Sequence, residues 1–177
     1  VLGSRGLGDV YKRQEIVPSN KDRFLRKETL QGFVHDEASA FFGGLAGNAG
    51  LFSTARDVAR VYQMLLNGGE IDGQRYLSKE TCQLFTTETS KISRRGLGFD
   101  KPDADDPKKG NCAPAAPAEV YGHTGFTGTC AWVDPVNELV YVFLSNRIYP
   151  DVTNRKLNQL HIRERIQGAI YDAMKKK

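Results

Sequence analysis

The 177-residue chain has few of the features that would place it quickly. It has no run near the eighteen or so consecutive apolar residues that a membrane-spanning helix needs, and no basic segment followed by an apolar stretch and a small-residue cleavage site. A transmembrane segment and a visible export signal are therefore not expected. Only three cysteines occur, Cys82, Cys112 and Cys130, without the close paired spacing of a zinc site, and no metal or cofactor is expected. Basic residues exceed acidic ones by 25 to 21, but they are scattered, and the only tight cluster is Lys175, Lys176 and Lys177. Such a cluster reads as a solvated tail and not as a nucleic-acid site. No internal repeat, low-complexity tract or strand-flanked phosphate loop appears.

What is present is the composition of a water-soluble folded domain: 40% hydrophobic, 26% charged, mean hydropathy −0.46. Residues 1–14 stand apart. They carry three glycines, no periodicity and no continuation into the next segment, and Asp9-Val-Tyr-Lys-Arg-Gln14 resembles the in-frame translation of a sequencing adapter. The expectation is a non-native segment at 1–14 and a domain fragment at 15–177.

Residues Glu15–Gly32 are polar and read as an extended surface connection. The next stretch, to Gly50, packs glycines among small and aromatic residues, as a tight loop needing close approach or positive φ would. Thr54 and Asp57 form a capping pair before Val58, Val61, Tyr62 and Leu65, which repeat at helical spacing until Asn67-Gly68-Gly69. Ser78 caps a shorter helix through about Phe85. Arg95–Phe99 reads as a short strand, and Lys101–Pro117, with four of the seven prolines, as loop.

Thr129–Val133 and Leu139–Ser145 then form a hairpin about the turn Asp134-Pro135-Val136-Asn137. The unbroken apolar run Val140–Leu144 predicts an interior strand covered by helices on both faces. One cover is a C-terminal helix with the stripe Ile162, Ile166, Ala169, Ile170 and Met174, its charges Arg163, Glu164, Arg165 and Asp172 outside. The fold class expected is α+β, an antiparallel sheet sandwiched by helices.

The most specific string is Gly122-His123-Thr124-Gly125-Phe126-Thr127-Gly128-Thr129, just before that hairpin. Glycines let a ligand lie against the strand backbone, His123 offers an imidazole, Thr124 a hydroxyl, and the Phe126 amide a donor for an anionic centre. These four positions, His123, Thr124, Gly125 and Phe126, would suit one wall of an acyl-transfer site, though not a complete one. Taken on its own, a strand histidine such as His123 is more often bonded within its fold than set in a site. His35, Asp36 and Glu37 read as a structural hydrogen-bond hub, His161 as a surface residue, and Trp132 as core.

At this point the chain resembles serine hydrolases of the β-lactamase and penicillin-binding type, including related esterases and D-aminopeptidases. The resemblance runs through Val34-His-Asp-Glu37, Gly43-Gly-Leu-Ala-Gly-Asn-Ala-Gly-Leu-Phe-Ser-Thr54, Leu65-Leu-Asn-Gly-Gly69, His123-Thr-Gly125, Trp132-Val-Asp-Pro135 and Ser145-Asn-Arg147. It implies a truncated β-lactamase/transpeptidase-like fold, in which His123-Thr-Gly125 is the third active-site motif and Phe126 supplies an oxyanion donor worth about 3 kcal/mol. The first two motifs are missing. No serine here is followed three residues on by lysine and no tyrosine two on by asparagine, so the nucleophile has no candidate and the fragment alone is expected to be inactive.

Histidine in place of the usual lysine points away from antibiotic hydrolysis and toward an esterase or D-amino-acid peptidase acting on a small acyl or peptidoglycan-derived substrate. Arg94-Arg-Gly-Leu-Gly-Phe-Asp-Lys-Pro102 and Tyr121–Cys130 look most like a Bacteroidetes subgroup fused behind a glycoside hydrolase family three module, a β-N-acetylglucosaminidase. The resemblance thus implies partnership with the missing N-terminal part of the domain and with that module, and a periplasmic or outer-membrane-associated location. An oxidising envelope would also permit a Cys112–Cys130 disulfide. The alternative function is a non-catalytic wall-binding or spacer domain.

Overall fold

Chain order begins with a carboxylate that organises a turn. In the computed structural model, which describes residues 15–44, 46–87, 90, 92–103, 105–106 and 110–175, strands β1 (Pro18–Lys21) and β2 (Thr29–Gln31) pair antiparallel. Between them Asp22 accepts from the amides of Phe24, Leu25 and Arg26 and from Arg26 Nε at 2.8 Å. An aspartate that captures the amides two to four residues on is a ready-made turn former. The rest of the Arg26 guanidinium donates to the carbonyls of Val34 (2.6 Å) and His35 (2.9 Å). Residues 15–32, expected as an extended surface connection, are thus a hairpin with Leu30 fully buried. The adapter-like segment 1–14 lies outside the described residues.

The glycine-rich loop follows helix α1 (Glu37–Phe41). Gly43 and Gly44 adopt φ of 84° and 89°, and a Cβ on either would meet nothing within 4 Å. Backbone handedness, not close approach, requires glycine there. These elements, with residues 146–156, form one compact unit; Ala55–Ser145 with the chain from Leu157 onward forms a second.

The second unit opens with α2 (Ala55–Leu66), which stops where the sequence predicts. Gly68 and Gly69 turn to φ of 68° and 95° and their amides cap the carbonyls of Leu65 and Met64. A small hairpin, β3 (Glu70–Ile71) and β4 (Gln74–Arg75), turns through Asp72-Gly73, both at positive φ. Helix α3 (Lys79–Thr86) begins at Ser78, whose hydroxyl accepts from the Thr81 amide at 3.1 Å. Arg95–Phe99 is not a strand. Gly96 and Gly98 bend it back on itself, with the Gly96 amide on the Phe99 carbonyl, and beyond it Asp100 pairs with Gly122 as an isolated bridge. The described residues of 101–117 are loop, as expected.

The main sheet is the meander β5 (Tyr121–Thr124), β6 (Cys130–Asp134), β7 (Leu139–Phe143). The expected turn is held by Asp134, whose Oδ1 accepts from the amides of Val136 and Asn137. The interior strand is β6, every residue of which is buried; β7 is the outer neighbour and buries only Tyr141. Continuous apolarity in β7 overstated its depth, because a strand at the rim of a three-stranded sheet is half-covered even when both its faces are apolar.

Helices do cover both faces. In register, Trp132 and Tyr141 share one face, where Cys112, Val120 and Cys130 join them in the core. Tyr121, Val133 and Val140 share the other, where the Tyr121 ring meets Phe99 edge-on at 5.4 Å and Phe99 meets Tyr62 of α2 at 6.2 Å.

A one-turn helix, α4 (Lys156–Gln159), leads to α5 (Ile162–Met174) on the Tyr141 face. Here the expected stripe is displaced. Helix α5 buries Arg163, Gln167 and Tyr171, while Ile166 and Met174 are each 38% exposed. The buried polar side chains are largely satisfied: Arg163 Nη1 and Nη2 donate to the Thr129 carbonyl and Asn158 Oδ1 while its Nε finds no partner among the described residues, Gln167 Oε1 accepts from the Ala113 amide at 2.8 Å, and Tyr171 donates to Asp134. His161 is exposed ahead of α5, and Trp132 is core, as expected. All three cysteines are buried free thiols, so the Cys112–Cys130 disulfide does not form. Among the described residues, no helix is long and apolar enough to cross a membrane.

Candidate functional site

The string Gly122–Thr129 occupies the end of β5 and the turn into β6. His123 sits opposite Ala131, and Thr124 opposite Cys130. Strand alternation therefore sends the His123 ring to the α2 face and the Thr124 side chain to the opposite one. What the two residues share is a backbone contact: His123 Nδ1 lies 2.7 Å from the Thr124 carbonyl oxygen. A carbonyl only accepts, so the hydrogen of this bond sits on Nδ1, and in the neutral ring Nε2 carries the lone pair. The ring itself is half-buried.

The turn beyond is braced from three sides. The Gly125 amide donates to the Thr129 carbonyl at 2.8 Å, the Gly128 amide to the Gly125 carbonyl at 3.0 Å, and Ser145 Oγ to the Gly128 carbonyl at 2.9 Å. Two positions in the string require glycine for space. A Cβ on Gly122 would collide with the Ala131 carbonyl, and one on Gly125 with the Thr129 hydroxyl. Phe126 stands at the tip of the turn, 58% exposed.

The outer edge of β5 is held by a charged cluster that the sequence reading passed over. Asp100 exchanges both backbone hydrogen bonds with Gly122, at 2.7 and 3.0 Å. Its carboxylate, almost completely buried, receives Arg94 Nε (2.7 Å) and Nη2 (3.0 Å), Asn111 Nδ2 (2.9 Å) and the Lys101 amide (3.1 Å). Burial pushes the Asp100 carboxyl upward, but Arg94 and Asn111 outweigh it and hold it below the usual range. Lys101 Nζ in turn donates to the carbonyls of Thr86 and Glu119. The signal was present in Arg94-Arg-Gly-Leu-Gly-Phe-Asp100, as opposite charges flanking a glycine-rich bend.

In the first unit, Asp36 accepts from the Ser39 amide at 2.7 Å and caps α1, and Ser39 Oγ donates to Asn48 Oδ1. The Ser39 amide chiefly lowers the Asp36 carboxyl, while burial lowers His35 against the opposing pull of Asp36. Of the hub expected of His35–Glu37, the side-chain bonding centres on Asp36, with Glu37 exposed in the first turn of α1. A polar recess of about 330 Å³ at the β3–β4 hairpin is lined by residues including Glu70, Asp72, Arg75 and Lys79, and takes in no residue of β5. No group of three or more His, Cys, Asp or Glu among the described residues is arranged to hold a metal ion.

A family model described as Beta-lactamase matches residues 9–164. Three curated relatives carry the name "Putative D-alanyl-D-alanine carboxypeptidase", from Escherichia coli (strain K12), Salmonella agona (strain SL483) and Salmonella typhi. Each is 37% identical over 135 residues, which are 76% of this chain and 31% of the relative. The chain therefore spans about a third of the length of the curated relatives it matches.

Proposed function

Because the chain belongs to the β-lactamase family, we propose that it is part of a serine acyl hydrolase acting on D-amino-acid peptides of the cell envelope, and that His123-Thr-Gly125 is one wall of its active site. The observation that carries the reading is the strand end itself. The His123 ring stands on one face of β5, its Nδ1 bonded to the Thr124 carbonyl, immediately before a braced glycine turn. In this arrangement His123 Nε2 orients a hydroxyl or amide of the substrate or of the catalytic machinery. Backbone groups at Thr124–Phe126 bind the acyl end, with the Phe126 amide directed at the developing oxyanion. The relatives' name supports a substrate ending in D-alanine. A histidine in place of the usual lysine supports an esterase or peptidase over an antibiotic hydrolase.

The serine nucleophile is not in these 177 residues, so the chain alone lacks the attacking group and is inactive. The deciding experiment uses the gene product that carries this sequence together with its upstream coding region. It is assayed for D-alanine release from a D-Ala-D-Ala-terminated peptide and for nitrocefin turnover. D-alanine release with slow nitrocefin turnover is the expected result. Efficient nitrocefin hydrolysis without peptide cleavage overturns the substrate assignment. Absence of both, with an active β-N-acetylglucosaminidase on the same chain, would make the domain a spacer behind a glycosidase.

A further inference from the structure

We propose that Arg94 and Asp100 are positioning residues for His123, a half-buried arginine locking a buried carboxylate in a clamp that sets the peptide plane from which the imidazole projects. This rests on reading His123 as a site residue.

The Gly122 carbonyl and the His123 amide belong to one planar unit. That carbonyl accepts from the Asp100 amide at 2.7 Å, and the Gly122 amide donates back to the Asp100 carbonyl at 3.0 Å. Among the described residues these two bonds form an isolated bridge on the outer edge of β5, a strand of four residues. Two backbone bonds at the rim of a short strand are a weak restraint by themselves, since such edges fray readily. They become a firm one here because the side chain of the same Asp100 is locked.

Its two carboxylate oxygens receive four donors, two from the Arg94 fork, one from Asn111 and one from the Lys101 amide. A buried carboxylate must be satisfied or it is strongly destabilising, so the arrangement is close to all-or-none. Lys101, the next residue, anchors in the other direction on the carbonyls of Thr86 and Glu119. Gly122 completes the device. With no room for a Cβ beside the Ala131 carbonyl, the backbone at this position stays close to β6 on one side while Asp100 grips it on the other. The residue after this doubly held position is His123, whose ring has its own bond, Nδ1 to the Thr124 carbonyl one peptide further along the strand, so the ring is tied to the backbone on the C-terminal side of the plane that Asp100 holds.

The test uses the ¹⁵N-labelled 177-residue chain and two variants, Arg94→Lys, which keeps the charge but loses the two-pronged fork, and Asp100→Asn. Ring nitrogens of His123 are read by long-range ¹H–¹⁵N correlation, and amide hydrogen exchange is compared at Gly122 and Asp100 against Trp132 and Tyr141 in the β6–β7 pair. The expected result is exchange about tenfold faster at Gly122 and Asp100, little change at Trp132 and Tyr141, and a His123 ring that passes from one neutral tautomer to a mixture. The proposal is overturned if the ring signature is unchanged, or if all four amides accelerate together, as a merely structural cluster would require. Should Asp100→Asn fail to fold, Arg94→Lys decides, and unfolding of both counts against the proposal. The outcome is separable from the functional reading: an intact clamp effect with no loss of activity on His123→Ala in the complete hydrolase would sink that reading and leave the clamp.

Discussion

The Tyr171 hydroxyl donates to Asp134 Oδ2 at 2.8 Å, joining the last turns of α5 to the first residue of the β6–β7 turn. Both residues are buried, and burial, followed by the Asp134 carboxylate, pushes the tyrosine hydroxyl well above its ordinary value. Asp134 also accepts from Asn137 Nδ2 and from the Val136 and Asn137 amides. Tyr171→Phe removes one of these donors without altering shape and is expected to lower stability by about 1–3 kcal/mol in thermal or urea denaturation. An unchanged midpoint would show that the bond contributes nothing net.

The displaced face of α5 gives a paired test. Gln167→Ala leaves the buried Ala113 amide without its acceptor and is expected to cost about 1–3 kcal/mol. Ile166→Lys, on a residue more than a third exposed, is expected to fall within about 0.5 kcal/mol of the parent. The opposite ranking would restore the apolar stripe that periodicity alone suggests.

At Gly125 the obstacle to a side chain is the Thr129 hydroxyl and not backbone. Gly125→Ala should therefore destabilise by about 1–3 kcal/mol, and adding Thr129→Ala should recover part of that loss. A double-mutant cycle with zero coupling would contradict the contact. In the complete hydrolase, Phe126→Pro removes the amide assigned to the oxyanion and is expected to lower kcat by about 10²–10³.

Burial pushes the Cys112 thiol up to about 12 and the Cys130 thiol up to about 11. Both remain protonated near neutrality and should resist alkylation in the folded chain, while three thiols per chain should react in denaturant. The linkage has a definite sign. Above the unfolded thiol value, near 9, the unfolded chain gives up protons that the folded one retains, so stability declines as pH rises from there toward 11–12. The Cys112→Ala/Cys130→Ala variant should show a flatter decline.

Short-range chemistry was the most readable part of this sequence. Ser78, the Asn67-Gly68-Gly69 stop and the Asp134 turn each act through bonds to residues at most five positions away, and each appears where the pattern puts it. Asp72-Gly73 carried an equally local hairpin signal and was overlooked. Depth was harder to read. Whether β6 or β7 is central depends on strand order, and whether α5 buries Ile166 or Gln167 depends on an amide at Ala113, 54 residues away. At the candidate site the string Gly122–Thr129 stood out by composition. The clamp behind it joins Arg94, Asp100 and Asn111 across a loop whose residues look merely solvated when read one at a time.

The meander β5–β6–β7 has a kinetic meaning. Its strands are consecutive, and their connections are only five and four residues long. Loop closure on that scale costs little entropy and takes well under a millisecond, so the hairpins can form before any distant contact exists. Tyr141 and Asp134 then wait for α5, whose anchoring bonds span 22 and 37 residues. A chain of this topology should assemble its sheet early and dock its last helix late, which makes α5 the first element to detach when the protein begins to open.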